Sequence, residues 1–129
     1  MTDSINAILH KANHHYSLCE YWHALKNYKQ ILALLHNFPD KIAGYGFSLL
    51  YTEQIDDALL FFKAAVKGCP SKLLLDGLGW TLLANHSYSQ ADRAFSKSLE
   101  YTNDWNSLRE LAKAKQGLGH YTEALNLEF

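Results

Sequence analysis

Ile55-Asp56-Asp57-Ala58-Leu59, followed by Phe62, reads as one face of a helix, with an apolar residue three places before an alanine and an aromatic ring four places after it. The pattern recurs. Tyr21-Trp22-His23-Ala24-Leu25, Tyr88-Ser89-Gln90-Ala91-Asp92 and Tyr121-Thr122-Glu123-Ala124-Leu125 place their alanines about 34, 33 and 33 residues apart. Three of the alanines are followed four residues later by Tyr28, Phe62 and Phe95, and three residues after that by Ile31, Ala65 and Ser98. The alanine has to be small because two helices cross there, and the ring fills the space beside it. A fixed period of this length means stacked units that cannot bury their cores alone.

Upstream of each alanine a second stripe predicts the partner helix of a hairpin. Ile42, Tyr45, Gly46 and Leu49 form one such stripe, and Leu75, Leu78, Gly79 and Leu82 the next. Pro39 and Pro70 stand where a helix has to stop. These residues divide residues 1–129, a single domain, into repeats at about 5–38, 39–71, 72–104 and an incomplete 105–129. From about Ile5 to Phe129 the chain resembles the tetratricopeptide repeat family, with Tyr45-Gly46 and Leu78-Gly79 at the Leu-Gly of the family pattern. The first repeat departs from that pattern with Ala12 for the glycine and His15 for an aromatic, and the fourth has Lys115 at the aromatic position. The resemblance implies an all-α right-handed superhelix of about three and a half antiparallel hairpins, its concave groove lined by the first helix of each pair. Leu108, Leu111 and Leu118 of the short last repeat are expected to be poorly covered, which a homodimer contact, a partner at that end or a sequence cut from a longer protein would each explain.

Carried over position by position, the family's groove residues fall here on Leu9, Asn13 and Tyr16 in the first repeat, Phe47, Leu50 and Tyr51 in the second, and Leu73, Trp80 and Leu83 in the third. That groove is apolar and aromatic, suited to a client protein or peptide that inserts aliphatic or aromatic anchors. The resemblance also excludes one family activity. Co-chaperones that grip the acidic C-terminus of heat-shock chaperones use a carboxylate clamp of Lys, Asn and Arg, whereas the matching positions here are Leu9, Asn13, Gly44, Leu73 and Gly77. A carboxylate would find no cation to pair with.

A net charge of −1 with interspersed signs leaves no basic face for a phosphate backbone, so no nucleic-acid partner is expected. No stretch approaches the roughly 20 apolar residues of a membrane span, and Asp3 stands where a signal peptide needs a base. Direct membrane insertion is therefore not expected. Cys19 and Cys69 have no partner at redox or metal-ligand spacing and read as reduced, partly buried thiols, which suits the cytoplasm. His10 and His14 stand four apart, as metal ligands on a helix can, but no third ligand is at hand. With no phosphate loop and no nucleophile motif, no cofactor, metal or enzymatic activity is expected.

The expectation is a small cytoplasmic chaperone or adaptor that shields an apolar client segment, similar in size, repeat number and groove to the tetratricopeptide chaperones of bacterial type III secretion. A self-associating scaffold and a peptide-sensing regulatory module are the alternatives.

Overall fold

The computed structural model describes residues 3–102 and 104–118. Among these residues lie α1 (Asp3–Ser17), α2 (Tyr21–Ile31), α3 (Ala43–Tyr51), α4 (Ile55–Gly68), α5 (Lys72–Ala84), α6 (Tyr88–Tyr101) and α7 (Trp105–Gly117), with a 3-10 turn at Pro39–Ile42 and no strand. The fold is all-α, as the period predicts. The chain forms two compact units, Met1–Phe61 and Phe62–Phe129. In the first, α1 packs on α2 and both meet α3; in the second, α5 packs on α6 and both meet α7.

The repeat residues form the cores of these units. Ala24, Ala58 and Ala91 are fully buried, as are the rings of Tyr28, Phe62 and Phe95. Tyr28 and Ile31 join Ala12, Leu35 and Ile42 in one cluster, while Leu25, Leu49 and Ala58 form another. Leu74, Leu75, Leu82, Phe95 and Leu111 are buried in the second unit. Leu111, expected to be uncovered, is therefore core, because α7 lies against both α5 and α6; Leu118 remains 38% exposed. The second helix expected for the fourth repeat, around Ala124, lies outside the described residues.

Three hairpin turns share one construction. The N–H groups of Glu20, Gln54 and Ser87 reach back to the carbonyls of His15, Leu49 and Leu82, at 2.9, 2.8 and 2.8 Å, which satisfies helix-end acceptors. The residue before each adopts a left-handed conformation: Cys19 (φ 60°), Glu53 (φ 63°) and His86 (φ 60°). Glycine usually fills this position, and a residue with a Cβ there costs about 1 kcal/mol or more. Cys19 sits in such a turn, and Cys69 lies between α4 and α5; both thiols are exposed and free, not partly buried. Of the prolines, Pro39 is buried at the start of the 3-10 turn, its missing N–H costing nothing at a helix start.

Glycine allows the close approaches that the rings demand. A Cβ on Gly79 would lie 2.5 Å from Phe95 Cζ, and one on Gly77 the same distance from Phe62 Cζ. On Gly44 it would lie 2.9 Å from Tyr28 Cζ. By contrast, Gly68 at the end of α4 would meet nothing within 4 Å.

Gly79→Ala is expected to destabilise the fold by about 1–2 kcal/mol, the overpacking penalty less the gain in helix propensity. Gly68→Ala should leave stability unchanged or raise it by up to about 1 kcal/mol. Urea unfolding of both variants checks the pair, and equal midpoints would contradict the ring-on-glycine packing.

Candidate protein-binding faces

Four aromatic rings close a circuit on the first unit. Tyr16 at the end of α1 lies 6.5 Å from Phe47 on α3 and 5.8 Å from Tyr21 at the start of α2, measured between ring centroids. Tyr51 at the end of α3 completes it, 6.4 Å from Phe47 and 4.9 Å from Tyr21. Helical spacing explains the geometry, since Phe47 and Tyr51 are one turn apart on α3 and the α1–α2 turn folds Tyr21 back beside Tyr16. Burial, followed by the neighbouring Tyr51 and Tyr21 hydroxyls, pushes the Tyr16 hydroxyl above its ordinary value. A hydrogen bond with the Cys19 thiol, followed by burial, pushes Tyr21 up to about 12. Both phenols therefore stay protonated.

The expected groove residues divide by depth. Tyr51 (50% exposed) and Leu73 (47%) stand at the surface, whereas Phe47 is only 4% exposed. Leu9, Tyr16, Leu50, Trp80 and Leu83 are half-buried. Leu9 and Tyr16 pack on the first core cluster and Leu50 on the second, so they offer edges to a partner. Asn13 is exposed but accepts a hydrogen bond from the Tyr28 hydroxyl through Oδ1, tying its amide to the fold. Phe47, Tyr16 and Tyr51 come together on the first unit; Leu73, Trp80 and Leu83 all lie on α5 in the second.

Several exposed apolar side chains were not among the expected groove residues, including Trp22, Leu60 and Trp105. Tyr21 was the detectable one, because it holds the apolar position three residues before Ala24. Trp22 and Trp105 follow no stripe that the repeat pattern picks out.

A lysine-centred polar cluster lies in the second unit. Lys72 Nζ sits 2.7 Å from Asp104 Oδ2 and 3.5 Å from Asp76 Oδ2, and it donates to Ser98 Oγ and Ser107 Oγ, both at 2.9 Å. Ser98 Oγ also donates to Asp76, and Asp104 caps α7 by accepting the Ser107 N–H at 2.8 Å. Ser98 and Ser107 are buried, so this clasp joins α5, α6 and α7 through polar groups that are fully occupied with one another. It is structural, with no free nucleophile. Two departures from the repeat pattern are neutralised similarly: His15 meets Glu20 at 2.9 Å and Lys115 meets Asp92 at 3.3 Å. His15 also stacks on His23 at 5.3 Å, and no group of three potential metal ligands converges among the described residues.

No protein-family profile matches the chain, and no curated protein matches it. Solved structures do. The chain is similar to a MamA RS-1 double mutant at TM-score 0.86, with 19% identity across 99% of this chain and 75% of that one. It is similar to MamA MSR-1 at TM-score 0.82, with 16% identity across 96% and 72%. For MamA AMB-1 the values are 0.80, 17%, 95% and 68%. Identities this low show the fold alone, which is all-α and of the tetratricopeptide type. Among the described residues, no helix is long and apolar enough to cross a membrane.

Lys72 first and then the Ser107 N–H hold the Asp104 carboxyl below its ordinary value. A depressed folded-state pKa contributes stability above the unfolded value near 4, which disappears as pH falls through the folded value. Asp104→Asn should therefore be less stable than the parent above about pH 5, with the gap closing below about pH 4. Chemical denaturation across pH 2.5–7 checks this; a pH-independent gap would contradict it.

Proposed function

We propose that this protein is a binding module for another polypeptide, holding an apolar segment of a client against its first-helix faces. The observation that carries the reading is the aromatic circuit of Tyr16, Tyr21, Phe47 and Tyr51, which ends in a half-exposed ring on the surface of the first unit. Aromatic anchors packed from behind by other rings are the usual centres of binding energy, since they lose little freedom when covered. Leu73, exposed on the α5 that also carries Trp80 and Leu83, offers the second unit's contribution.

The narrower form of this proposal is a cytoplasmic chaperone of the type III secretion kind, acting as an adaptor that keeps a client segment covered until assembly or export. Free thiols at Cys19 and Cys69 suit a reducing compartment. Secretion genes beside this one, and a client encoded among them, are what that form requires.

A photo-crosslinking side chain at position 51 or 73 in the native host is expected to capture a client, which is then purified and titrated against the protein. Tyr51→Ala should weaken that binding at least tenfold, about 1.4 kcal/mol. Leu60→Ala, a truncation of a more exposed apolar side chain on α4, should change it less than twofold. Equal losses in the two variants, or no client at either position, would remove the proposal. Phe47→Ala is a poor probe, because truncating a buried ring costs about 3–5 kcal/mol of stability.

A further inference from the structure

The α1–α2 and α3–α4 turns of the first unit open onto one cavity of about 430 Å³. Its walls combine the rings of Tyr21, Trp22 and Tyr51 with the carboxylates of Glu20 and Glu53. The sequence places them there simply: Tyr21 and Trp22 begin α2, Tyr51 ends α3, and each glutamate sits in the turn beside its helix. Trp22 is 66% exposed, a large ring left in water at the mouth of a cavity.

The carboxylates of this cavity are Glu20 and Glu53, and its one imidazole is His23, stacked on His15. His15 Nδ1 lies 2.9 Å from Glu20 Oε1, and its hydrogen bond holds the Glu20 carboxyl below the ordinary carboxylate range, so Glu20 is an anion. Glu53 is exposed, and no ion pair to it is formed among the described residues. No lysine or arginine lines the cavity. An anionic ligand would be repelled, and a purely apolar one would desolvate carboxylates without return. A cation gains twice, from the negative faces of the rings and from the carboxylates. Among biological cations the guanidinium fits best, since its plane stacks on aromatic rings while its edge pairs with a carboxylate.

We propose that this cavity receives an arginine side chain of the client polypeptide. The inference rests on the client-binding reading and deepens it. Tyr51 belongs both to the aromatic circuit and to the cavity wall, so a segment lying on that circuit has the cavity within reach of its next side chain. Apolar anchoring and charge selection thus act on neighbouring residues of one ligand.

The test is a nitrogen-15 NMR titration of the full chain at pH 7.5 with two probes, acetyl-arginine methylamide and its uncharged counterpart acetyl-citrulline methylamide. The arginine probe is expected to give saturable shifts at the Trp22 indole and at the Thr52 and Glu53 amides, and the citrulline probe to bind at least tenfold more weakly. Glu53→Gln, a change on an exposed turn residue, should weaken arginine binding three- to tenfold while the rest of the spectrum stays in place. Tyr51→Leu should weaken it through the ring instead of the charge. Equal binding of the two probes, shifts located elsewhere, or no effect of Glu53→Gln would overturn the cavity assignment. If the crosslinked client then loses affinity in Tyr51→Ala but not in Glu53→Gln, the client reading stands and this inference fails. Saturable arginine binding in a protein that captures no polypeptide would overturn the client-borne arginine and leave a free organic cation as the ligand.

Discussion

The fold depends on large rings closing against residues that have no side chain. Tyr28, Phe62 and Phe95 are fully buried, and Gly44, Gly77 and Gly79 stand where any Cβ would strike them. Packing at close-packed density leaves no slack for both partners to be large. The same constraint reaches the binding faces. Gly44 and Gly77 are two of the positions onto which the resemblance carries the carboxylate clamp, and there the ring of the preceding helix fills the space a side chain would need. The clamp is thus excluded by packing as well as by the absence of a cation. On the same helices, Tyr51 of α3 and Leu73 of α5 stand at the surface, while Phe47 is buried.

What was legible in the sequence follows from what periodicity can carry. Ala24, Ala58 and Ala91, the rings four residues on, and Leu49 and Leu82 of the partner stripes all depend on helical spacing alone, and all are buried. Depth at the edge of a stripe depends on neighbours from other helices, which spacing does not encode. Phe47 and Tyr51 read alike in sequence, yet Phe47 is covered by Tyr16 while Tyr51 ends its helix half in water. Leu111 reads as uncovered for the same reason, because the cover that α5 and α6 give α7 is tertiary. The Lys72 clasp was invisible, since Lys72, Asp76, Ser98 and Asp104 come from three separate stretches that share no motif.

The cysteines show a further limit. Low polarity and wide spacing suggest interior thiols, but Cys19 is exposed because it occupies the left-handed position of a hairpin turn, a role usually signalled by glycine. Neither Cys19, Glu53 nor His86 announces such a turn. Only their equal spacing, about one repeat apart, reveals it once the backbone is known.

Those turns also bear on function. A glycine at each would relieve backbone strain, so side chains retained there need a compensating use or carry a simple stability cost. Cys19 and Glu53 both line the acidic aromatic cavity, and the Cys19 thiol helps to raise the pKa of the Tyr21 hydroxyl that walls it. His86, at the equivalent turn of the second unit, contacts the Tyr88 hydroxyl at 2.8 Å, which is the residue matching Tyr21 one hairpin later. A tyrosine opening the second helix therefore finds a polar partner in the strained turn residue in two of three hairpins. In the remaining one Ile55 replaces the tyrosine, and the turn residue Glu53 keeps its carboxylate unpaired by any cation among the described residues. The hairpin that gave up the internal contact is the one whose turn presents a free charge beside exposed rings.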